Sequence, residues 1–132
     1  MGMIGGGKNA FIGAVHRIAA NIDGLIELHC GAFSSNPELS MESGQALFLP
    51  KDKSYGSYEE MITTEAQLPP NERMDFVSIV TPNHAHFAPA MMALEHGFHV
   101  VLDKPMTLTL DEAKKLAQKV KETGLQLCLT HT

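Results

Sequence analysis

Five of the chain's 11 glycines, Gly2, Gly5, Gly6, Gly7 and Gly13, fall within its first thirteen residues. Glycine reaches positive φ without a steric penalty and lets other backbone approach closely, so a cluster this dense marks a place where side chains would be in the way. Before it stands a short apolar stub, Met3-Ile4. After it Ile12, Val15, Ala19 and Ile22 recur at helical spacing, so the glycines predict a tight turn from a strand into a helix that Asp23-Gly24 ends.

The remainder alternates in the same way. Leu25 to Phe33 predicts a strand, and Ser34-Ser35-Asn36-Pro37 a turn into a helix with proline in its first turn. A weakly patterned segment from Met41 to Leu49 follows, then a solvated break at Pro50-Lys51-Asp52-Lys53. Ser57-Tyr58-Glu59-Glu60 has the form of a capping box and predicts a helix from Tyr58 to about Gln67, stopped by Pro69-Pro70-Asn71. Asp75 to Thr81 is a nearly continuous apolar run, as in a parallel strand covered on both faces. Phe87, Ala90, Met91 and Leu94 mark the next helix, closed by Gly97, and His99 to Leu102 another buried strand. A second capping box, Thr109-Leu110-Asp111-Glu112, opens a helix with Ala113, Leu116, Ala117 and Val120 on its buried stripe; Gly124 stops it and Leu125 to Thr130 supplies a last strand. Strand and helix in turn predict an α/β fold, a doubly wound parallel sheet with right-handed crossovers.

Composition limits the classes of function. With 44% hydrophobic residues over 132 positions the chain can bury a core, so disorder is excluded, and a net charge of −5 gives no electrostatic footprint for nucleic acid. No apolar run reaches the roughly 18 residues of a membrane span, and no basic and apolar leader precedes the glycines, so the expectation is a soluble, cytoplasmic protein with no membrane partner. The two cysteines, Cys30 and Cys128, are too few for a disulfide framework and lie in apolar strand-like runs, which predicts two buried thiols.

The glycine loop has three readings. Gly5-Gly6-Gly7-Lys8-Asn9-Ala10 fits G-x-G-x-x-A, the dinucleotide fingerprint, with a strand before it and a helix after it whose N-terminal amides can take phosphates. Either Ala10 or Gly13 supplies the third small residue; Gly13 is preferred, because Ile12-Gly13 opens the clearest helical phase and leaves an enlarged loop from Lys8 to Phe11. Gly5, Gly7, Ala10, Phe11, Ile12 and Gly13 are thus the candidates at the pyrophosphate, in a Rossmann-type fold. The second reading is a nucleoside-triphosphate loop with Asn9 where a hydroxyl should meet Mg²⁺, and the third a purely structural turn. Where a ribose-binding acid is expected, about 20 residues after the motif, stand Ser34 and Ser35 with Asn36 beside them. With neither a carboxylate nor an arginine there, NAD and NADP both stay open.

In open α/β sheets ligands sit beyond the carboxyl ends of the strands, which makes candidates of Thr81-Pro82-Asn83-His84-Ala85-His86 and Asp103-Lys104-Pro105. Together with Ile12-Gly13-x-x-His16 and Gly97-x-His99-Val100, these runs resemble the Gfo/Idh/MocA oxidoreductases in order and spacing, over essentially the whole chain. The resemblance implies an NAD(P)-dependent dehydrogenase of sugars, polyols or related hydroxy compounds, with Thr81, Pro82 and Asn83 on the nicotinamide ribose side, His86 in the same motif, and Lys104 at the junction of cofactor and substrate. Asp103 departs from the family's glutamate and shortens the carboxylate's reach; Pro105 completes that motif. Lysine suits the chemistry, since a cation beside a developing alkoxide stabilises it.

The pairs His84-x-His86 and His96-x-x-His99 lack further ligands at a recognised metal spacing, so no metal is expected, and His16 reads as a packing and hydrogen-bonding residue. The resemblance also implies a longer, two-domain, homo-oligomeric enzyme whose C-terminal α/β domain carries the substrate pocket and a catalytic histidine. Residues 1–132 are then its dinucleotide-binding domain, truncated at both ends, with the first strand of a 3-2-1-4-5-6 sheet cut to a stub. The alternative is a stand-alone dinucleotide-binding module without turnover.

Overall fold

A computed structural model describes residues 1–131; Thr132, the last residue of the expected domain, lies outside them. Five strands, β1 (Gly2–Gly5), β2 (Cys30–Ala32), β3 (Phe76–Val80), β4 (His99–Leu102) and β5 (Leu127–Leu129), form one parallel sheet in the order β2-β1-β3-β4-β5. Between them run α1 (Phe11–Asn21), α2 (Pro37–Ala46), α3 (Tyr58–Ala66), α4 (Phe87–Glu95) and α5 (Leu110–Thr123), with single 3-10 turns at Lys51–Lys53 and Asn83–Ala85. Gly2 pairs with Cys30 on one side and Val77 on the other, so β1 is interior despite its brevity.

The outermost strand of the expected 3-2-1-4-5-6 order is reduced to one parallel bridge, Gly31 to Ser54, beside a hydrogen bond from Tyr55 N–H to the Gly31 carbonyl. The span available for it is occupied by α2, Pro50 and the charged Lys51–Lys53 turn, which leave no alternating run to pair. β2 is also shorter than the Leu25–Phe33 run. Ahead of Cys30 the Met1 amino group donates to the Glu27 carbonyl at 2.7 Å and the His29 N–H to the Met1 carbonyl at 2.8 Å.

Both faces are covered as continuous apolar strands require. On one, Ile4, Val77, Ile79, Val100 and Leu102 pack under α3, α4 and α5 with Met61, Ile62, Leu94, Phe98 and Leu116, all at most 2% exposed. Fully burying each such side chain contributes about 1.5–3 kcal/mol. On the other, Met3, Phe33 and Val80 form a smaller cluster with Ile12 and Ala20 of α1. Cys30 lies in the first core, but Cys128 is exposed, contrary to expectation: β5 is an edge strand and Cys128 faces away from the helices that bury Leu127 and Leu129.

One carboxylate is fully enclosed. Glu65 of α3 accepts hydrogen bonds from Lys53 Nζ at 2.9 Å, the Tyr55 hydroxyl at 2.8 Å and the Met74 N–H at 2.9 Å, and His29 Nε2 lies 3.2 Å from it. Burial alone would raise this carboxyl; the three donors and the charge of Lys53 outweigh it and hold the group below its ordinary value.

Candidate functional site

At the carboxyl ends of β1, β2 and β3 a cleft of about 500 Å³ opens, walled by the glycine loop, by Phe33–Ser35 and by Thr81, Pro82, His84 and Ala85. Gly5 and Gly6 take φ of +82° and +73°, which places the turn in the left-handed region where a side chain is strained. Because β1 spans Gly2–Gly5, Gly2, Met3 and Ile4 are strand rather than loop, and the nucleoside-triphosphate reading falls.

Distance separates the two candidates for the third small position. A Cβ on Gly13 would stand 2.4 Å from Gly6 Cα and 2.8 Å from its carbonyl oxygen, so α1 crosses the loop at Gly13, whereas Ala10 is exposed. Arg17, one turn further on, donates from its guanidinium to the Gly6 carbonyl at 2.8 Å and fixes that crossing. Gly7 also serves packing: a Cβ there would lie 2.9 Å from both the Phe33 carbonyl and Ser43 Oγ, so its bareness lets the loop pack on the edge of β2 and α2.

Helix starts differ. α2, α3 and α5 have their first amides taken by the side chains of Asn36, Ser57 and Thr109, while α1 and α4 have no side-chain cap; α4 continues from the Asn83–Ala85 turn, and α1 starts at the glycine loop, where Ala10 has nothing to offer. The free amides of α1 and its dipole are left beside the glycine cradle, the arrangement an anion needs. The residues fit a dinucleotide: a loop that would clash with any side chain at Gly6 or Gly13, an uncapped helix of 11 residues, and an open cleft beyond.

The strand-end loops are tied together by His86, which is 1% exposed. Its Nδ1 lies 2.7 Å from the Pro105 carbonyl oxygen and its Nε2 2.9 Å from that of Thr81. Thr81 Oγ1 in turn donates to the Ala85 carbonyl at 2.9 Å. Lys104 and Pro105 follow β4 and are exposed, so the ammonium is free to face a ligand. Asp103, 8% exposed, points elsewhere: its Oδ1 accepts from Thr130 Oγ1 at 2.9 Å and lies 3.6 Å from His16 Nε2, while His16 Nδ1 pairs with Ser78 Oγ at 3.0 Å. Both contacts fall on the same oxygen, Oδ1, of this carboxylate.

Of the residues expected at the site, Gly5, Ala10, Ser34, Ser35, Thr81 and Pro82 line the cleft itself. Gly7, Gly13 and His86 shape it from behind, Phe11 and Ile12 open α1, Asn83 starts the turn after Pro82, and Asp103, Lys104 and Pro105 lie on the next strand end. Ser57, Tyr58 and Glu59, at the start of α3, also line the cleft and were not anticipated. Their only signal in the sequence was the capping box, which locates a helix start without saying which end of the sheet it faces. Burial pushes the Tyr58 phenol up, and the neighbouring Glu59 carboxylate adds to that. Among the described residues no group of three His, Cys, Asp or Glu side chains is gathered for a metal ion; the His96 ring pairs with the Met92 carbonyl and His99 Nδ1 accepts from Gln126 N–H.

Comparison with known proteins places these features. The family model described as an oxidoreductase family with an NAD-binding Rossmann fold, GFO_IDH_MocA, matches residues 1–131. An inositol dehydrogenase homolog from Azotobacter vinelandii, solved in complex with NADH and myo-inositol, superposes with a TM-score of 0.93 at 37% identity, covering 98% of this chain and 34% of that one. An oxidoreductase from Sinorhizobium meliloti gives a TM-score of 0.91 at 48% identity over 98% of this chain and 35% of its own. Among curated proteins, the uncharacterized oxidoreductase YfiI of Bacillus subtilis is 32% identical over 130 residues, 98% of this chain and 33% of its own. The chain therefore spans about a third of the length of the relatives it matches.

Proposed function

The chain belongs to the Gfo/Idh/MocA oxidoreductase family, and from that premise we propose that it is the cofactor-binding part of an enzyme transferring a hydride between NAD or NADP and a sugar, polyol or related hydroxy compound. The observation that carries this is the uncapped start of α1 over the Gly6–Gly13 crossing, open to a cleft at the carboxyl ends of the strands. When bound, the nicotinamide supplies the hydride acceptor or donor.

The chain's own residues do the rest. Gly5, Gly7, Ala10, Phe11, Ile12 and Gly13 hold the pyrophosphate through backbone amides, and Ser34 and Ser35 receive the adenine-side ribose. Thr81, Pro82 and Asn83 position the nicotinamide side, with His86 holding their loop to the Asp103-Lys104-Pro105 loop. Lys104 Nζ stabilises negative charge on the substrate oxygen while that oxygen's proton passes to the catalytic histidine expected in the C-terminal domain. The substrate pocket belongs to the two thirds of the relatives' length beyond this match, and a cytoplasmic homo-oligomer is the assembly proposed for the whole enzyme. The solved relative's bound myo-inositol supports a polyol as substrate class, and no observation separately favours a module without turnover.

The test is a titration of the purified protein with NADH and NADPH, followed by nicotinamide fluorescence. A saturable change with at least one of them is expected; no binding of either at about 1 mM, where even weak complexes of ~4 kcal/mol are half formed, overturns the assignment.

A further inference from the structure

We propose that Glu59, in the first turn of α3, makes the site prefer NAD(H) to NADP(H). This rests on the cofactor assignment above and concerns one group that distinguishes the two molecules, the phosphate on the adenine-side ribose.

Around Ser34 and Ser35 the helix-start amides that could hold a phosphate are already engaged. The first amides of α2 are already taken, since Asn36 Oδ1 accepts from Glu38 N–H at 3.0 Å and Leu39 N–H at 3.2 Å, and Pro37 has no N–H to give. Ser34 Oγ accepts from the Asn36 N–H at 3.1 Å, and the one proton of its hydroxyl brings no charge to set against a phosphate. At α3, Ser57 Oγ accepts from Glu60 N–H at 3.2 Å. Neither helix start offers its amides as α1 does.

The charges point the same way. Glu59 lines the cleft together with Ser34, Ser35 and Tyr58, and Glu38 and Glu60 stand in the first turns of the same two helices. Among the described residues lining the cleft there is no lysine or arginine. A phosphate monoester with close to two negative charges meets a carboxylate and no cation, whereas a ribose hydroxyl can donate to that carboxylate. Sequence position misleads here: the acid expected at the end of β2 is replaced by two serines, and the carboxylate comes from a helix start 24 residues beyond Ser35, brought to the same wall by the fold. Lys8, the cation of the glycine loop, is exposed and is not among the residues lining the cleft.

Dissociation constants for NADH and NADPH, measured by nicotinamide fluorescence on the wild-type protein and on Glu59→Gln, Glu59→Lys and Lys8→Gln, test this. The wild type is expected to bind NADH about tenfold or more tighter than NADPH, the ratio set by like-charge repulsion in a partly open site. Glu59→Gln should bring the ratio to within a few-fold chiefly by improving NADPH, and Glu59→Lys should invert it. Added salt should narrow the wild-type gap. Binding of neither cofactor to the wild type sinks the cofactor assignment itself. Equal binding of both, or a gap that Glu59→Gln leaves untouched, leaves that assignment standing and overturns the role of Glu59, as does NADPH preference abolished by Lys8→Gln. Circular dichroism of each variant separates loss of fold from loss of discrimination.

Discussion

His86 Nδ1 stands 2.7 Å from the carbonyl oxygen of Pro105, joining the loop after β3 to the loop after β4 through a side chain that is 1% exposed. Its other nitrogen meets the Thr81 carbonyl. Carbonyl oxygens only accept, so each contact calls for an N–H on the ring.

Replacing His86 by alanine removes the partner of the Thr81 and Pro105 carbonyls and leaves a cavity between the loops. A loss of about 2–4 kcal/mol in urea denaturation is expected, together with weaker NADH binding. His86→Gln keeps one amide donor and should recover part of the affinity. A His86→Ala protein with wild-type stability and wild-type NADH affinity shows that the two loops do not depend on this link.

Gly13→Ala places a methyl group 2.4 Å from Gly6 Cα, a backbone atom in a turn already fixed by Arg17. α1 must lift away from the loop, at about 1–3 kcal/mol of overpacking. NADH affinity should fall by more than the stability change alone explains, because the amides of α1 move with the helix. Ala10→Gly, at the exposed rival position, should change neither quantity appreciably.

Glu65 gives stability a pH dependence of definite sign. Its carboxyl is held below its ordinary value in the folded chain, so between that lowered value and the ordinary one, about 4.3, the unfolded chain binds more protons and stability rises with pH. The contribution is complete above the ordinary value and is lost as pH falls through the folded one. Glu65→Gln should cost about 2–3 kcal/mol near neutrality by leaving Lys53 with a neutral partner, and should flatten the acid limb of the curve. An unchanged acid limb in the variant assigns that limb to other carboxylates.

The cysteines should separate by reactivity. Cys30 is fully buried, and burial, with the Glu65 carboxylate adding to it, pushes its thiol well above the usual range, while Cys128 is exposed on β5. Ellman's reagent should therefore modify one thiol rapidly in the native protein and the second only on unfolding. Two fast thiols would place Cys30 outside the core.

What the sequence could convey followed from local rules. The glycine turn, the Ser57 and Thr109 caps, the left-handed stop at Gly124 and the apolar strands β3 and β4 each depend on a few neighbouring residues, and they stand where periodicity and capping chemistry put them. Features that depend on distant partners were illegible. The Leu25–Phe33 run looks like a full strand, but only Cys30–Ala32 of it pairs with β1, and the exposure of Cys128 depends on β5 lying at an edge. Asp103 occupies the expected place in its motif, yet Thr130 and His16, 27 residues after it and far before it, decide where its carboxylate points. Glu59 escaped notice because nothing near it in sequence tells that α3 starts beside β2.

The bare beginning of α1 has a thermodynamic corollary. Phe11, Ile12 and Gly13 start a helix whose leading N–H groups no side chain takes up, so an anion seated there completes the helix as well as occupying a site. Occupancy and local order then become a single equilibrium: each tenfold of ligand above its dissociation constant adds about 1.4 kcal/mol to the folded form, and amide exchange at the head of α1 slows in step. The cofactor serves at that point as a component of the fold.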